Sequence, residues 1–182
     1  MPNAQAQESE RVTLEPCRAI QEHARLVMDW RNDPHTLSMF YHREPKVWDT
    51  FWPEFRDSYF TVAELPPLFV RVGCERIGFL RFQPIAPLPE EAGRTADISI
   101  NIATAHRGRR LGVAALKAGL KFLRDTGAAD SVIAEVRQEN IASRKAFLAA
   151  GFRELEETTH TVTDTGERCR IVRFRYDIAH AK

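Results

Sequence analysis

Apolar residues recur along this chain at two different spacings, and the places where the spacing changes mark the elements. Arg11 to Cys17 reads as a first strand, with Pro16 placing it at a sheet edge or a strand end. Ile20, Ala24, Val27 and Met28 then fall on one helical face, and that helix should stop before Asp33-Pro34. Trp48, Phe51, Trp52 and Phe55 follow at i, i+3, i+4, i+7, which predicts a short helix that Pro53 breaks or kinks. Strand-rich runs come next, at Tyr59 to Ala63, Leu68 to Val72 and Ile77 to Phe82, with Gly73-Cys74-Glu75-Arg76 as a hairpin turn. A loop rich in proline and glutamate, from Pro84 to Gly93, leads into Ala96 to Ile102, whose period-two alternation marks a half-buried strand. Leu111 to Asp125 is apolar around most of its girth, with Lys117, Lys121 and Arg124 as one polar stripe. Such a helix packs against a sheet, and Gly127 is placed to end it. Val132 to Val136 is a buried strand, Asn140 caps a helix running to Gly151, and two strands close the chain as a hairpin around Asp164-Thr165-Gly166. The pattern predicts one α/β domain of the α+β type over residues 11–182. Its sheet is mostly antiparallel with flanking helices, and a frayed tail of residues 1–10 precedes it.

Composition narrows the function more than the fold. A chain of 182 residues with 43% hydrophobic and 28% charged residues has material for one core and an ordinary surface. Lys plus Arg number 26 against 25 Asp plus Glu, and a net charge of +1 argues against a binder of nucleic-acid backbones. Cys17, Cys74 and Cys169 are isolated and the six histidines show no ligand spacing, so neither a metal site nor a disulfide framework is expected. The polar N terminus resembles no targeting peptide, and no apolar run approaches the ~20 residues a membrane helix needs. A cytoplasmic protein, monomer or homodimer, is expected.

The chemistry concentrates in the turn His106-Arg107-Gly108-Arg109-Arg110-Leu111-Gly112, between a strand and a buried helix. A helix N terminus offers unpaired N–H groups and a positive dipole end, glycines let phosphate oxygens approach, and arginines add charge-assisted hydrogen bonds. A solvated basic turn is the alternative. One strand later comes Asn140-Ile141-Ala142-Ser143-Arg144-Lys145-Ala146-Phe147, ending at Gly151-Phe152. Together the two segments, from Asp97 to Phe152, resemble motifs A and B of the GNAT superfamily of acyl-CoA N-acyltransferases. The resemblance implies a splayed pair of strands ending near Ile102 and Val136. It also implies acetyl-CoA as cosubstrate, with its pyrophosphate on Arg107, Gly108, Arg109, Arg110, Leu111, Gly112, Val113 and Ala114. The pantetheine arm would lie along Ile102, Asn140, Ser143 and Phe147. Two positions depart from the family pattern: Arg110 stands where a glycine is usual, and Phe147 where many relatives carry a tyrosine that protonates the leaving sulfur.

The implied reaction is direct attack of a primary amine on the thioester. An amine with a pKa near ~10 is protonated at neutral pH, so a base must accept a proton. Glu135 is one candidate, with pairing to Arg137 or another surface cation as the alternative. Asp97 is the second, set against a structural cap or pair, and Ser143 could meet the pantetheine or the thiol. On the acceptor side, Trp30-Arg31-Asn32-Asp33-Pro34 resembles segments of acetyltransferases for nucleotide-linked amino sugars, and also those for ribosomal-protein N termini and aminoglycosides. Arg31, Asn32, Tyr41 and Trp52 are the candidate acceptor contacts, with helix capping and core packing as the alternatives. A nucleotide-linked amino sugar is the expected acceptor, and a protein N terminus the runner-up. A non-catalytic acyl-CoA-binding regulator is the reading from another class.

Overall fold

The computed structural model describes residues 11–40, 43–86, 93–162 and 166–178; the N-terminal tail, Tyr41 and the tip of the last hairpin lie outside them. Seven strands form one sheet in the order β1-β2-β3-β4-β5-β7-β6. They are β1 (Val12–Pro16), β2 (Leu68–Val72), β3 (Glu75–Ile85), β4 (Thr95–Ile102), β5 (Ser131–Arg137), β6 (Arg153–Thr161) and β7 (Arg168–Asp177). Five α-helices accompany them: α1 (Gln21–Arg31), α2 (Pro34–Met39), α3 (Trp48–Ser58), α4 (Leu111–Thr126) and α5 (Ile141–Ala150). All neighbouring strands are antiparallel except β4 and β5, which run parallel.

The sheet is covered on both faces, and each cover follows from the sequence. Leu116, Leu120 and Leu123 of α4 pack with Leu80, Phe82, Ile98 and Val132 in the larger core. Phe51, Phe55 and Tyr59 meet Phe69, Phe79, Ala24 and Val27 in a second core on the opposite face. Gly127 ends α4 in the left-handed region, at φ 62°.

Three local expectations need correcting. Pro53 does not break α3, which runs unbroken through it. Proline there removes one backbone hydrogen bond, but fully buried Phe51 and Phe55 anchor both sides of it. Residues 59–63 are not a strand: Tyr59 caps α3, donating its N–H to the Phe55 carbonyl, and its ring joins the aromatic cluster. Asp33-Pro34 ends α1, as expected, but also starts α2. The Asp33 carboxylate caps the Thr36 N–H at 2.9 Å, and Pro34 occupies the first turn, where a missing N–H costs nothing.

His23 sits fully buried at the edge of the second core, its Nδ1 accepting the Arg18 N–H at 2.9 Å and its ring edge-on to Phe69. Burial, followed by the nearby Arg76 and Arg18, holds its pKa below the usual 6.5, while Glu22 and Glu15 oppose them more weakly. The unfolded chain therefore takes up a proton, as pH falls through 6.5, that the folded chain resists, so His23 costs stability on the acid side. Thermal melting read from pH 7.5 to 5.5 should show Tm falling further in the parent than in His23→Gln. Asp97, pushed up to about 6, acts in the opposite sense in both proteins, so the difference between them isolates the histidine.

Candidate active site

The parallel pair opens into a fork. β4 and β5 are in register only at Thr95↔Ser131, Ala96↔Val132 and Asp97↔Ile133, although β4 runs on to Ile102 and β5 to Arg137. The Ala103 N–H donates to the Ile77 carbonyl at 2.9 Å, on the β3 side. Alternation along an antiparallel strand then turns the N–H groups of Ile100 and Ile102 toward the gap, where β5 no longer offers acceptors. A cleft of about 1390 Å³ occupies this fork.

The turn below the fork starts α4: the Val113 and Ala114 N–H groups close on the Arg110 carbonyl at 3.1 and 3.3 Å, and the N–H groups before them are the ones a helix start leaves without intrahelical acceptors. Gly108, Arg110, Leu111, Gly112, Val113 and Ala114 line the cleft. A Cβ on Gly112 would meet nothing closer than Ile102 Cγ1, at 4.0 Å, so the space beside it belongs to the cleft. Arg110 is the helix N-cap, with φ 59° and ψ 11°. Among the described residues it is the one non-glycine with positive φ. Arg110, which the resemblance sets where a glycine is usual, therefore adopts a conformation that glycine takes without strain. For arginine it is strain of about 1–2 kcal/mol, and such outliers gather at functional sites. These features fit a pyrophosphate-bearing cosubstrate.

The other two arginines of the turn are not free to meet a ligand in the same way. Arg109 is exposed and outside the cleft lining. The Arg107 side chain lines the cleft but is engaged on every side: Nε donates to the Ile102 carbonyl at 2.8 Å, Nη2 to Thr36 Oγ1 at 2.6 Å, and Nη1 meets Asp33 at 3.2 Å. Burial alone would raise the Asp33 pKa. The Thr36 N–H, the Thr104 and Thr36 hydroxyls and Arg107 outweigh it and hold the carboxyl at about 2. Asn101 joins the same network, donating to the Trp30 carbonyl at 2.8 Å. The Trp30 to Pro34 segment thus ties the first helices to the cosubstrate turn. Sequence reading missed this, although a cap aspartate and a turn arginine were both visible in it.

Two carboxylates line the fork. Asp97 lies at its apex, half-buried, and its pKa is pushed up to about 6, first by burial and then by the negative charge of Glu135; Arg81 and the Ile98 N–H pull it back. Glu135 is two residues past the last β5 position paired with β4, and Arg173, its register partner on β7, donates to it at 2.8 Å. The cation-paired alternative for Glu135 is therefore present, with Arg173 in place of Arg137. Arg137 itself is buried and pairs with Glu139 and Glu167.

Along α5, the Asn140 side chain accepts the Ser143 N–H at 3.2 Å as N-cap, and both residues line the cleft. Phe147 is 3% exposed, edge-on to Phe152 and stacked with Phe174. On the acceptor side Arg31 lines the cleft, whereas Asn32 and Trp52 do not. The Asn32 carboxamide bonds the Lys46 N–H and carbonyl at 2.7 and 2.8 Å, pinning the segment before α3. Trp52 stacks on Trp48 with centroids 5.9 Å apart, so the core-packing alternative describes it. Tyr59 and Arg81, not singled out from sequence as acceptor contacts, do line the cleft. Among the described residues no group of three or more His, Cys, Asp or Glu could hold a metal ion, and no helix is long and apolar enough to cross a membrane.

A forked parallel pair over a strained helix start, with carboxylates at the apex, is the layout of a group-transfer enzyme. The chain matches the Acetyltransferase (GNAT) domain over residues 11–153 and belongs to the GNAT acetyltransferase family; it is an acetyl-CoA-dependent N-acetyltransferase. The fold is similar to that of spermidine N-acetyltransferase from Vibrio cholerae in complex with CoA and spermine, with TM-score 0.77, 16% identity, and 93% of this chain and 96% of that one covered. Mycobacterium smegmatis RimJ in complex with CoA-disulfide gives TM-score 0.74 and 22% identity over 95% and 88% of the two chains. The aminoglycoside acetyltransferase AAC(6')-Ib in complex with coenzyme A gives 0.71 and 17% over 91% and 94%. No protein of curated function matches the sequence.

Proposed function

We propose that the protein acetylates a small primary amine that enters the fork from the α1–α3 side, with Asp97 as the group that accepts the amine's proton. The observation that carries this is the position of Asp97: half-buried, where β4 and β5 part, with a pKa raised to about 6. A carboxyl so tuned is mostly ionised at pH 7 yet more basic than an ordinary aspartate. Glu135 supports it by raising that pKa with its charge, a positioning part rather than the base itself. Acetyl-CoA supplies the activated acetyl group. The α4 N terminus, Gly108, Arg110 and Gly112 would hold its pyrophosphate, and the Ile100 and Ile102 N–H groups face the strand gap along which its arm would lie. Those two N–H groups are also the preorganised donors for charge developing on the thioester oxygen. Phe147 has no proton to give, which leaves the Ser143 hydroxyl as the polar group of α5 nearest in role to the departing sulfur.

For the acceptor, a nucleotide-linked amino sugar is our reading, with a protein N terminus as the other candidate. The neighbouring structures, named for spermidine, aminoglycosides and RimJ, span polyamine and sugar amines and favour no single class. Acetyl-CoA-dependent thiol release with amino-sugar nucleotides, N-terminal peptides, aminoglycosides and polyamines tests this. Release with the sugar nucleotides is expected; release with peptides alone overturns the acceptor, and none with any amine, despite CoA binding, would make the protein a regulator.

A further inference from the structure

Two cleft arginines have no acidic partner. Arg31, at the end of α1, and Arg81, on β3, both line the cleft, and among the described residues neither meets a carboxylate at ion-pair distance. Each is nonetheless held in place by an aromatic ring. The Arg31 guanidinium carbon lies 4.9 Å from the centroid of Phe40, and that of Arg81 lies 3.9 Å from the centroid of Tyr59. Arg81 spends one donor on the Ser58 carbonyl at 2.7 Å, leaving most of its planar fork free. The nearby Lys46 and Glu54 neutralise each other at 2.7 Å. Two carboxylates, Glu54 and Asp97, still act on Arg81 at longer range, Glu54 with its charge shared by Lys46, and Glu44 stands exposed at the rim.

Tyr59 supplies an independent observation. It is 3% exposed, its hydroxyl oxygen is buried, and it makes no well-formed hydrogen bond. Its nearest polar neighbours are the Arg81 and Arg31 guanidiniums, and a buried hydroxyl left short of a good hydrogen bond costs about 1–3 kcal/mol, so the group is open to an anion that orders all three. Tyr59, Arg81 and Gln83 form a wall shared by the main cleft and a side cavity of about 160 Å³, large enough for an anionic head group.

We propose that Arg31, Arg81 and Tyr59 form an anion subsite, and that the acceptor is an amine carrying a carboxylate or phosphate group. This rests on the reading of Asp97 as the proton acceptor and deepens it by fixing where the acceptor's charge sits. In the β3–β4 register Gln83 faces Asp97 and Arg81 faces Ser99, so Arg81 is the diagonal neighbour of Asp97 on the same face. Such neighbours lie ~7–8 Å apart, close enough for one small acceptor to reach both with its amine and its anionic group. Planar, bidentate recognition of carboxylate or phosphate is what arginine provides and lysine does not. A polyamine places a second cation where these arginines stand and is disfavoured.

The test is calorimetry on the CoA-saturated protein, which keeps the pyrophosphate turn filled. Matched probes are 4-aminobutyrate against 4-aminobutanamide for the carboxylate source, and phosphoethanolamine against ethanolamine for the phosphate source. At least one anionic probe should bind tenfold or more tighter than its neutral match. Arg31→Gln and Arg81→Gln should each erase that preference, with Tyr59→Phe weakening it severalfold. Arg81→Lys, which keeps the charge and loses the fork, should recover only part. Equal binding of matched probes, no binding of any, or a preference that survives in both glutamine variants would overturn the subsite. Because binding and not turnover is read, failure of the Asp97 mechanism would show separately, as anion binding without thiol release.

Discussion

Replacing Asp97 by Asn is expected to lower kcat/KM for the amine by about 10²–10⁴-fold, the usual contribution of a positioned general base, with acetyl-CoA affinity unchanged. Asparagine keeps the shape and the neighbours of Asp97 but accepts no proton from an ammonium. The parent's pH–rate profile should show a limb near pH 6, where the Asp97 carboxyl gains its proton. Glu135→Gln separates the two carboxylates. Removing the Glu135 charge takes away one of the influences raising the Asp97 pKa, so the limb should move to lower pH while the plateau rate stays within a fewfold. If Glu135 were the base, the plateau itself would collapse. Steady-state rates from pH 5 to 9 on both variants check this, and an unchanged profile in Asp97→Asn would return Asp97 to a structural part.

The elements legible in the sequence were those with a continuous apolar pattern bounded by local stop signals. Leu111 to Thr126 and Ser131 to Arg137 show it: each carries its apolar pattern without help from distant residues, and the structure follows within a residue or so. Tyr59 to Ala63 carried an equally good strand signal and is a loop, because Tyr59 packs on Phe51 and Phe55, which no local pattern shows. Asp33-Pro34 read as a stop. Its second use as a start depends on Thr36, Thr104 and Arg107, the last two more than seventy residues away.

The site was legible to a similar depth. The order of the two motifs led to the fork and to the helix start, since both are local. Which side chains face the cleft was not, since that depends on where a third element spends them. Arg107 is drawn to Asp33, and Glu135 to Arg173 on a strand that joins only in the folded sheet. Arg81 and Tyr59 looked like ordinary strand residues until β3 and α3 brought them together.

Gly112→Val should weaken acetyl-CoA binding by about 10- to 150-fold, the loss of one charge-assisted hydrogen bond at ~1.5–3 kcal/mol, while leaving the fold intact. The fold survives because a Cβ at this position approaches only Ile102 Cγ1, at 4.0 Å. The valine methyl groups would instead fill space that phosphate oxygens need beside the first N–H groups of α4. Arg110→Gly provides the complementary reading. Glycine adopts the observed φ of 59° without strain, so Tm should rise, whereas loss of the guanidinium should cost CoA binding about tenfold. A variant that gains stability and loses ligand shows that the strain at Arg110 is kept for binding. Calorimetry with CoA and thermal melting on both variants read the two effects. Unchanged CoA affinity in Gly112→Val would mean that the pyrophosphate does not lie at this helix start.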